Sequence, residues 1–183
     1  MKRNEALQKL KENLNNKNLI KHSIAVEAGM EELAKHFDKD VKKWGLAGLL
    51  HDIDYEETKD EPNKHSIIGA KMLEELGLSD EIVYAVKVHN EAHDLPRKSE
   101  MDKALYAVDP LTGLIVASTL IHPEKKLDVV DVDFVMNRFD ETSFARGANR
   151  EQIKACNELD LDLDDFIELV LVGMQSKSDE LGL

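Results

Sequence analysis

What this sequence lacks narrows its function first. One cysteine, Cys156, in 183 residues leaves no internal disulfide and suits a reducing, cytoplasmic compartment. Its neighbours "IKACNEL" read as helix, so a buried, inert thiol is expected there rather than a nucleophile. No run approaches the roughly 18 consecutive apolar residues of a membrane span, and the opening "MKRNEALQKLKENL" lacks the apolar stretch of a signal peptide. Prolines number four and glycines nine, and no stretch alternates apolar and polar residues long enough to make a strand. The chain has no P-loop, no dinucleotide fingerprint and no serine elbow beside a base.

Positive charge is short as well. Lys and Arg number 24 against 37 Asp and Glu, for a net charge of −13. That argues against binding a nucleic acid duplex or an anionic membrane, both of which need basic surface. A small phosphorylated partner stays open, provided that local cations offset the overall field. The acidic run "DLDLDD", residues 160–165, fails as a calcium loop. An EF-hand starting at Asp160 needs Gly at its sixth position and Glu at its twelfth, and Asp165 and Leu171 stand there. These acids suit the opening of a helix, whose dipole favours negative charge.

What is present is helical periodicity, with 42% hydrophobic and 33% charged residues, enough for one sizeable core. The spacing predicts helices near 3–14, 18–37, 40–51, 65–76, 79–90, 101–121, 131–139, 149–158 and 163–182. The longest irregular pieces are 52–64 and 91–100. Pro62, Pro96 and Pro123 fall between helices, where breakers belong, whereas Pro110 falls inside one and should kink it. An all-α fold of one domain is expected.

Several polar residues occupy positions where these helices should be apolar. His22 sits in step with Leu19 and Val26, and His51 with Trp44 and Ala47. His65 leads the stripe Ile68, Met72 and Leu76, and His89 follows Ile82 and Val86. Asp109 and Thr112 lie between Leu105 and Val116. A lone histidine on an apolar face is more often a satisfied core residue than a ligand. Here that account has to hold independently for four histidines and an aspartate. Each unpaired buried polar group costs about 1–3 kcal/mol, so one shared partner is the simpler account. A divalent cation is the obvious candidate, because neutral imidazole and carboxylate are its usual ligands. His36 and His122 read as ordinary surface or capping residues, and His93 as at most a neighbour of the site.

The stretch "GLAGLLHDIDYEE", residues 45–57, ends an apolar run in the doublet His51-Asp52. Adjacent helical residues point about 100° apart, so both reach one ion only near a helix end. With His22 before the doublet and Asp109 after it, the pattern His…His-Asp…Asp is complete. Together with "LIKHSIAVEAGMEELA", "GLAGLLHDIDYE", "KHSIIGAKMLEELGL" and "ALYAVDPLTGLIVAS", it resembles the HD superfamily of metal-dependent phosphohydrolases, nearest its small single-domain HDIG-type branch. The likeness covers about residues 18–122.

That resemblance implies an HD-domain helical bundle with additional C-terminal helices over about 123–183. It implies that His22, His51, Asp52 and Asp109 bind one divalent metal, which could be Mn, Fe, Co, Ni, Mg or Zn. His65 and His89 stand where some branches place a second metal, with Asp52 bridging. Where many two-metal members have a His-His pair, this chain has His89-Asn90, so one tight ion and a weak or empty second position are expected. The expected activity is hydrolysis of a nucleotide or related phosphate ester by metal-activated water. Asp52 and Asp54 are the catalytic candidates, Asp54 for a supporting or proton-transfer role. Lys64, Arg146 and Arg150 are candidates for the phosphate, and Lys71 and Lys87 also lie near the histidines. The alternative is a non-catalytic HD module that senses a nucleotide or a partner protein. Substrate identity and oligomeric state are left open.

Overall fold

The computed structural model describes residues 1–141 and 143–183. Its helices are α1 (Arg3–Asn13), α2 (Lys17–His36), α3 (Val41–Leu50), α4 (Tyr55–Thr58), α5 (Ile67–Glu75) and α6 (Asp80–Val88). They continue with α7 (Glu100–Ile121), α8 (Val132–Asp140), α9 (Arg150–Lys154), α10 (Leu163–Gln175) and α11 (Ser178–Leu181). Short 3-10 turns cover Glu91–His93, Leu127–Val129 and Ala155–Leu159, and the described residues contain no strand. The all-helical expectation holds.

Local chemistry sets several helix starts. Asn16 and Asp40 accept backbone N–H groups of Asn18 and Lys43 at the starts of α2 and α3. Ser99 and Asp102 form a reciprocal capping box at α7. Two expected helices end early. The one expected over 149–158 tightens after Lys154 into a 3-10 turn, and Asp160 at φ 58° closes it. The one expected over 163–182 stops at Gln175, where the Ser176 hydroxyl donates to the Gly173 carbonyl at 2.6 Å and competes with the helical ladder.

Helix α2 is the hub. It packs most extensively on α3, then on α10 and α7. Met30 and Leu33 of α2, Leu49 and Leu50 of α3, Leu105, Leu111 and Leu114 of α7 and Phe166 of α10 are fully buried. Two glycines permit these contacts. A Cβ at Gly48 would lie 2.9 Å from the Glu27 backbone, and one at Gly173 would collide with the Ala28 carbonyl. Helix α7 runs through Pro110 as one element. It is long and apolar enough to match a membrane span by length and composition, yet 67% of that stretch is buried inside this bundle. Its apolarity serves a helix surrounded by other helices.

Ion pairs fasten α1 and α11 to the hub. Glu27 of α2 is 1% exposed, and Arg3 grips both of its carboxylate oxygens at 2.7 Å. Lys177 reaches the same carboxylate at 3.0 Å, and Arg3 also holds Glu180 at 2.9 Å. The Arg3 guanidinium is held firmly charged: its hydrogen bond to Glu27 outweighs the opposing effect of burial.

Candidate metal centre

The run from Trp44 to Leu50 carries His51 into the core, where its side chain is 0% exposed. His51 closes α3, and a turn follows, so Asp52 swings back beside it. The two side chains meet at 3.4 Å, between His51 Nε2 and Asp52 Oδ2. His22 of α2 approaches the same Oδ2 at 3.8 Å, and its Nε2 lies 3.0 Å from Oδ1 of Asp109 on α7. On the other side, Asp52 Oδ1 faces His65 Nε2 at 3.3 Å and His89 Nε2 at 3.5 Å. One carboxylate thus presents each oxygen to a different pair of imidazoles. The rings of His22, His51, His89 and His65 stand edge to face in sequence, 5.1 to 5.2 Å apart.

The far ring nitrogens fix how these side chains are aimed. The Gly48 carbonyl can only accept, so His51 donates to it from Nδ1 at 2.8 Å, and His89 likewise donates from Nδ1 to Val86 at 2.6 Å. The Thr112 hydroxyl gives its hydrogen to the Asp109 carbonyl and accepts from His22 Nδ1 at 3.3 Å. His65 Nδ1 meets Asp54 Oδ1 at 3.1 Å. Each Nε2 lone pair is thereby left facing inward, which is how outer hydrogen bonds orient metal-ligating histidines.

Asp54 does more than hold His65. Its other oxygen accepts the backbone N–H groups of Ser66 at 2.8 Å and Gly69 at 3.0 Å, capping α5 from outside that helix. Ser66 sits at φ 66°, a strained conformation for a residue with a side chain. That bond and the Ser66 hydroxyl's bond to the Lys87 carbonyl at 3.0 Å hold it there. Both Asp54 oxygens are engaged, one by His65 and the other by two backbone N–H groups, a geometry that orients the His65 ring.

The chemistry of this set fits a divalent ion. His51 Nε2 is buried without a hydrogen-bond partner among the described residues, a loss that an ion would make good. His22, His51 and Asp109 form one group that could hold an ion, and His51, Asp52 and His89 another. A family model described as the HD domain matches residues 19–126. The chain belongs to the HD domain family. Its cluster is the His/Asp metal-ligand set of these phosphohydrolases. Two proteins named ribonuclease Y are similar to it: that of Oleidesulfovibrio alaskensis at 34% identity over 52% of the chain, and that of Desulfotalea psychrophila at 32% over 73%. The chain spans only 18% and 26% of those two proteins. A protein of Methanocaldococcus jannaschii named only as uncharacterized is 27% identical, over 90% of this chain and 98% of its own length.

The remaining expected site residues make other contacts. Lys64 is exposed and paired with Glu61 at 2.6 Å. Arg150 turns inward and donates to the backbone carbonyls of Phe139, Phe144, Ala145 and Ala148, so it holds a loop together instead of awaiting a phosphate. Helix α9 has only five residues, and Asn149 caps the Glu151 and Gln152 N–H groups that an anion would have used. Arg146 is exposed beside them. Asn90 is not aimed into the site: its amide donates to Pro62 and its oxygen caps Ala92. His93 donates from Nε2 to the His65 carbonyl at 2.7 Å. His36 and His122 pack against Phe37 and Phe134. Cys156 is buried, and burial pushes its thiol up to about 11, away from a nucleophile.

Without an ion, these carboxylates draw protons onto His51 and His65. Burial opposes charge on His65, but its hydrogen bonds to Asp52 and Asp54 outweigh that and push its pKa up to about 9 from the ordinary 6.5. Burial opposes charge on His51 too, and Asp52 and Asp109 still raise it well above its usual range. Burial would raise both acids, yet the histidines hold Asp52 and Asp109 well below the carboxylate range. The raised His65 adds stability that is full below pH 6.5 and lost as pH climbs through about 9. The depressed acids add stability above about pH 4, the ordinary carboxylate value, and lose it as pH falls through their lowered values. Metal-stripped protein is therefore expected to melt at its highest temperature near pH 5 to 6.5 and at a lower one by pH 9.5. A divalent ion should remove the alkaline decline, because it replaces the proton. Melting curves in chelator and in added metal check this; a flat profile between pH 6.5 and 9.5 in chelator would contradict it.

Proposed function

We propose that this HD protein hydrolyses a small phosphate ester, a nucleotide or related metabolite, at the centre built around Asp52. The observation that carries the reading is the placing of Asp52 Oδ1 and Oδ2 against separate histidine pairs. A divalent ion bound there would supply Lewis acidity to a phosphoryl oxygen and lower the pKa of an attacking water. His22, His51, Asp52 and Asp109 would hold it, and Asp52, His65 and His89 would hold a second. With Asn90 turned away, that second position would have three protein ligands.

The chain's own residues set the approach. His51 and His89 are 0% and 3% exposed and close the inner end, whereas His22 and Asp109 are each 25% exposed and form the mouth. A substrate therefore enters past His22 and Asp109. Asp54, Thr112 and the Gly48 and Val86 carbonyls keep the imidazoles aimed while it binds, so little reorganisation is needed at reaction. Supporting a phosphodiester among the substrates is the name ribonuclease Y borne by two relatives. With a net charge of −13, only a short strand suits this surface.

The test is phosphate or alcohol release from a panel of nucleoside monophosphates, cyclic nucleotides and dinucleotides, with Mn, Co, Ni, Mg or Zn supplied in turn. Metal-dependent turnover of at least one class is expected, with chelator abolishing it. An inactive protein that still binds nucleotides would replace the hydrolase reading with that of a sensing module.

A further inference from the structure

A cavity of ≈ 420 Å³ opens directly onto His22. Lys21 and His22 of α2, Gly113, Val116 and Leu120 of α7 and Leu181 of α11 border it. Its volume lies in the range of small-molecule sites, and its walls are largely apolar with a few polar groups, as such sites usually are. Leu120 stays 53% exposed, an apolar surface that a ligand could cover.

Gly113 singles this cavity out. A glycine inside a helix is destabilising relative to alanine. Gly29, Gly45, Gly48, Gly69 and Gly173 also lie in helices, and a Cβ at each would meet a neighbouring atom at 3.0 Å or closer. Among the described residues, a Cβ at Gly113 would meet nothing within 4 Å, and none of their packing contacts calls for glycine there. What its missing side chain does is leave the α7 backbone bare where it borders the cavity, one turn beyond Asp109.

We propose that this cavity receives the organic part of the phosphate ester, a flat aromatic or otherwise apolar group lying over Gly113 and against Val116 and Leu120. Lys21, exposed at the rim beside His22, meets the negative charge of the phosphate. The protein then selects esters of bulky, flat alcohols over esters of small ones. This rests on the reading of the chain as a phosphate-ester hydrolase.

Phenylphosphonate and methylphosphonate, neither of them hydrolysable, separate the two halves of such a ligand. Calorimetric titration of the metal-loaded protein should show phenylphosphonate binding at least about tenfold tighter, equivalent to ~1.4 kcal/mol. Gly113→Leu should erase that preference while methylphosphonate affinity, metal content and melting temperature persist. Leu120→Ala, at a side chain the fold leaves half in solvent, should reduce the preference by a second route. Lys21→Met should weaken both ligands alike. Equal affinity of the wild type for both phosphonates would overturn the proposal, as would a preference that survives both Gly113→Leu and Leu120→Ala. If esters are hydrolysed and the preference is absent, only this proposal falls. If no ester is hydrolysed and neither phosphonate binds, the hydrolase reading falls with it.

Discussion

Asp52→Asn is expected to silence this protein. Asp52 is 6% exposed and faces four imidazoles, with Oδ2 toward His22 and His51 and Oδ1 toward His65 and His89. Asparagine keeps the volume and one acceptor oxygen. It turns the other oxygen into an N–H donor aimed at lone pairs that should bind metal, so at least one imidazole pair loses its carboxylate partner. The cluster also loses half of the negative charge supplied by Asp52 and Asp109. Activity at saturating divalent metal is expected to fall by more than about 100-fold, the upper end of what removing a merely orienting partner costs. At least one ion should be lost on dialysis, as read by elemental analysis. His36→Gln, at a ring packed on Phe37, is the control. His93 is unsuited to that part, because it holds the His65 carbonyl. Wild-type turnover and metal content in Asp52→Asn would sink the assignment.

Gly48→Ala should damage stability and metal binding together. The added Cβ would stand 2.9 Å from the Glu27 N and Cα and from the Val26 carbonyl carbon. These are backbone atoms, so no side chain can rotate away, and α2 and α3 must separate. Overpacking of this kind costs about 1–3 kcal/mol. For a chain of this size that lowers Tm by roughly 2–12 °C. The Gly48 carbonyl also fixes His51 Nδ1, so the shift should weaken metal retention as well. Gly113→Ala is the matched control: it adds the same methyl where none of the described residues lies within 4 Å, and its Tm should hold or rise. An unchanged Tm in Gly48→Ala would mean that the two helices are not in backbone contact.

The fold and the cluster were legible because both rest on periodicity. The stripes of α2, α3, α6 and α7 marked inward faces, and His22, His51, His89 and Asp109 interrupted them. The resemblance to HD phosphohydrolases rested on the same residues, and the family match over residues 19–126 agrees with it. What stayed illegible depends on distant partners. Asp54 caps a helix 12 and 15 residues ahead of it, and no local motif records such a reach. Arg150 looked like an anion ligand because an arginine before a helix often is one; only the folded loop shows its guanidinium surrounded by carbonyls. Asn90 was read from its place beside His89, but its amide follows the Pro62 and His65 carbonyls out of the site. Gly113 gave no signal at all, since a cavity is a property of packed helices.

The link from Arg3 to Glu180 joins positions 177 apart in sequence. While the chain is still searching for its helices, such a contact offers nothing, because closing so long a loop is slow and unrewarded until the bundle between has formed. The grip on Glu180 is therefore expected to form after the folding barrier. It should act on departure from the native state, lengthening the life of the folded molecule and leaving the speed of folding to nearer contacts such as those of α2 with α3.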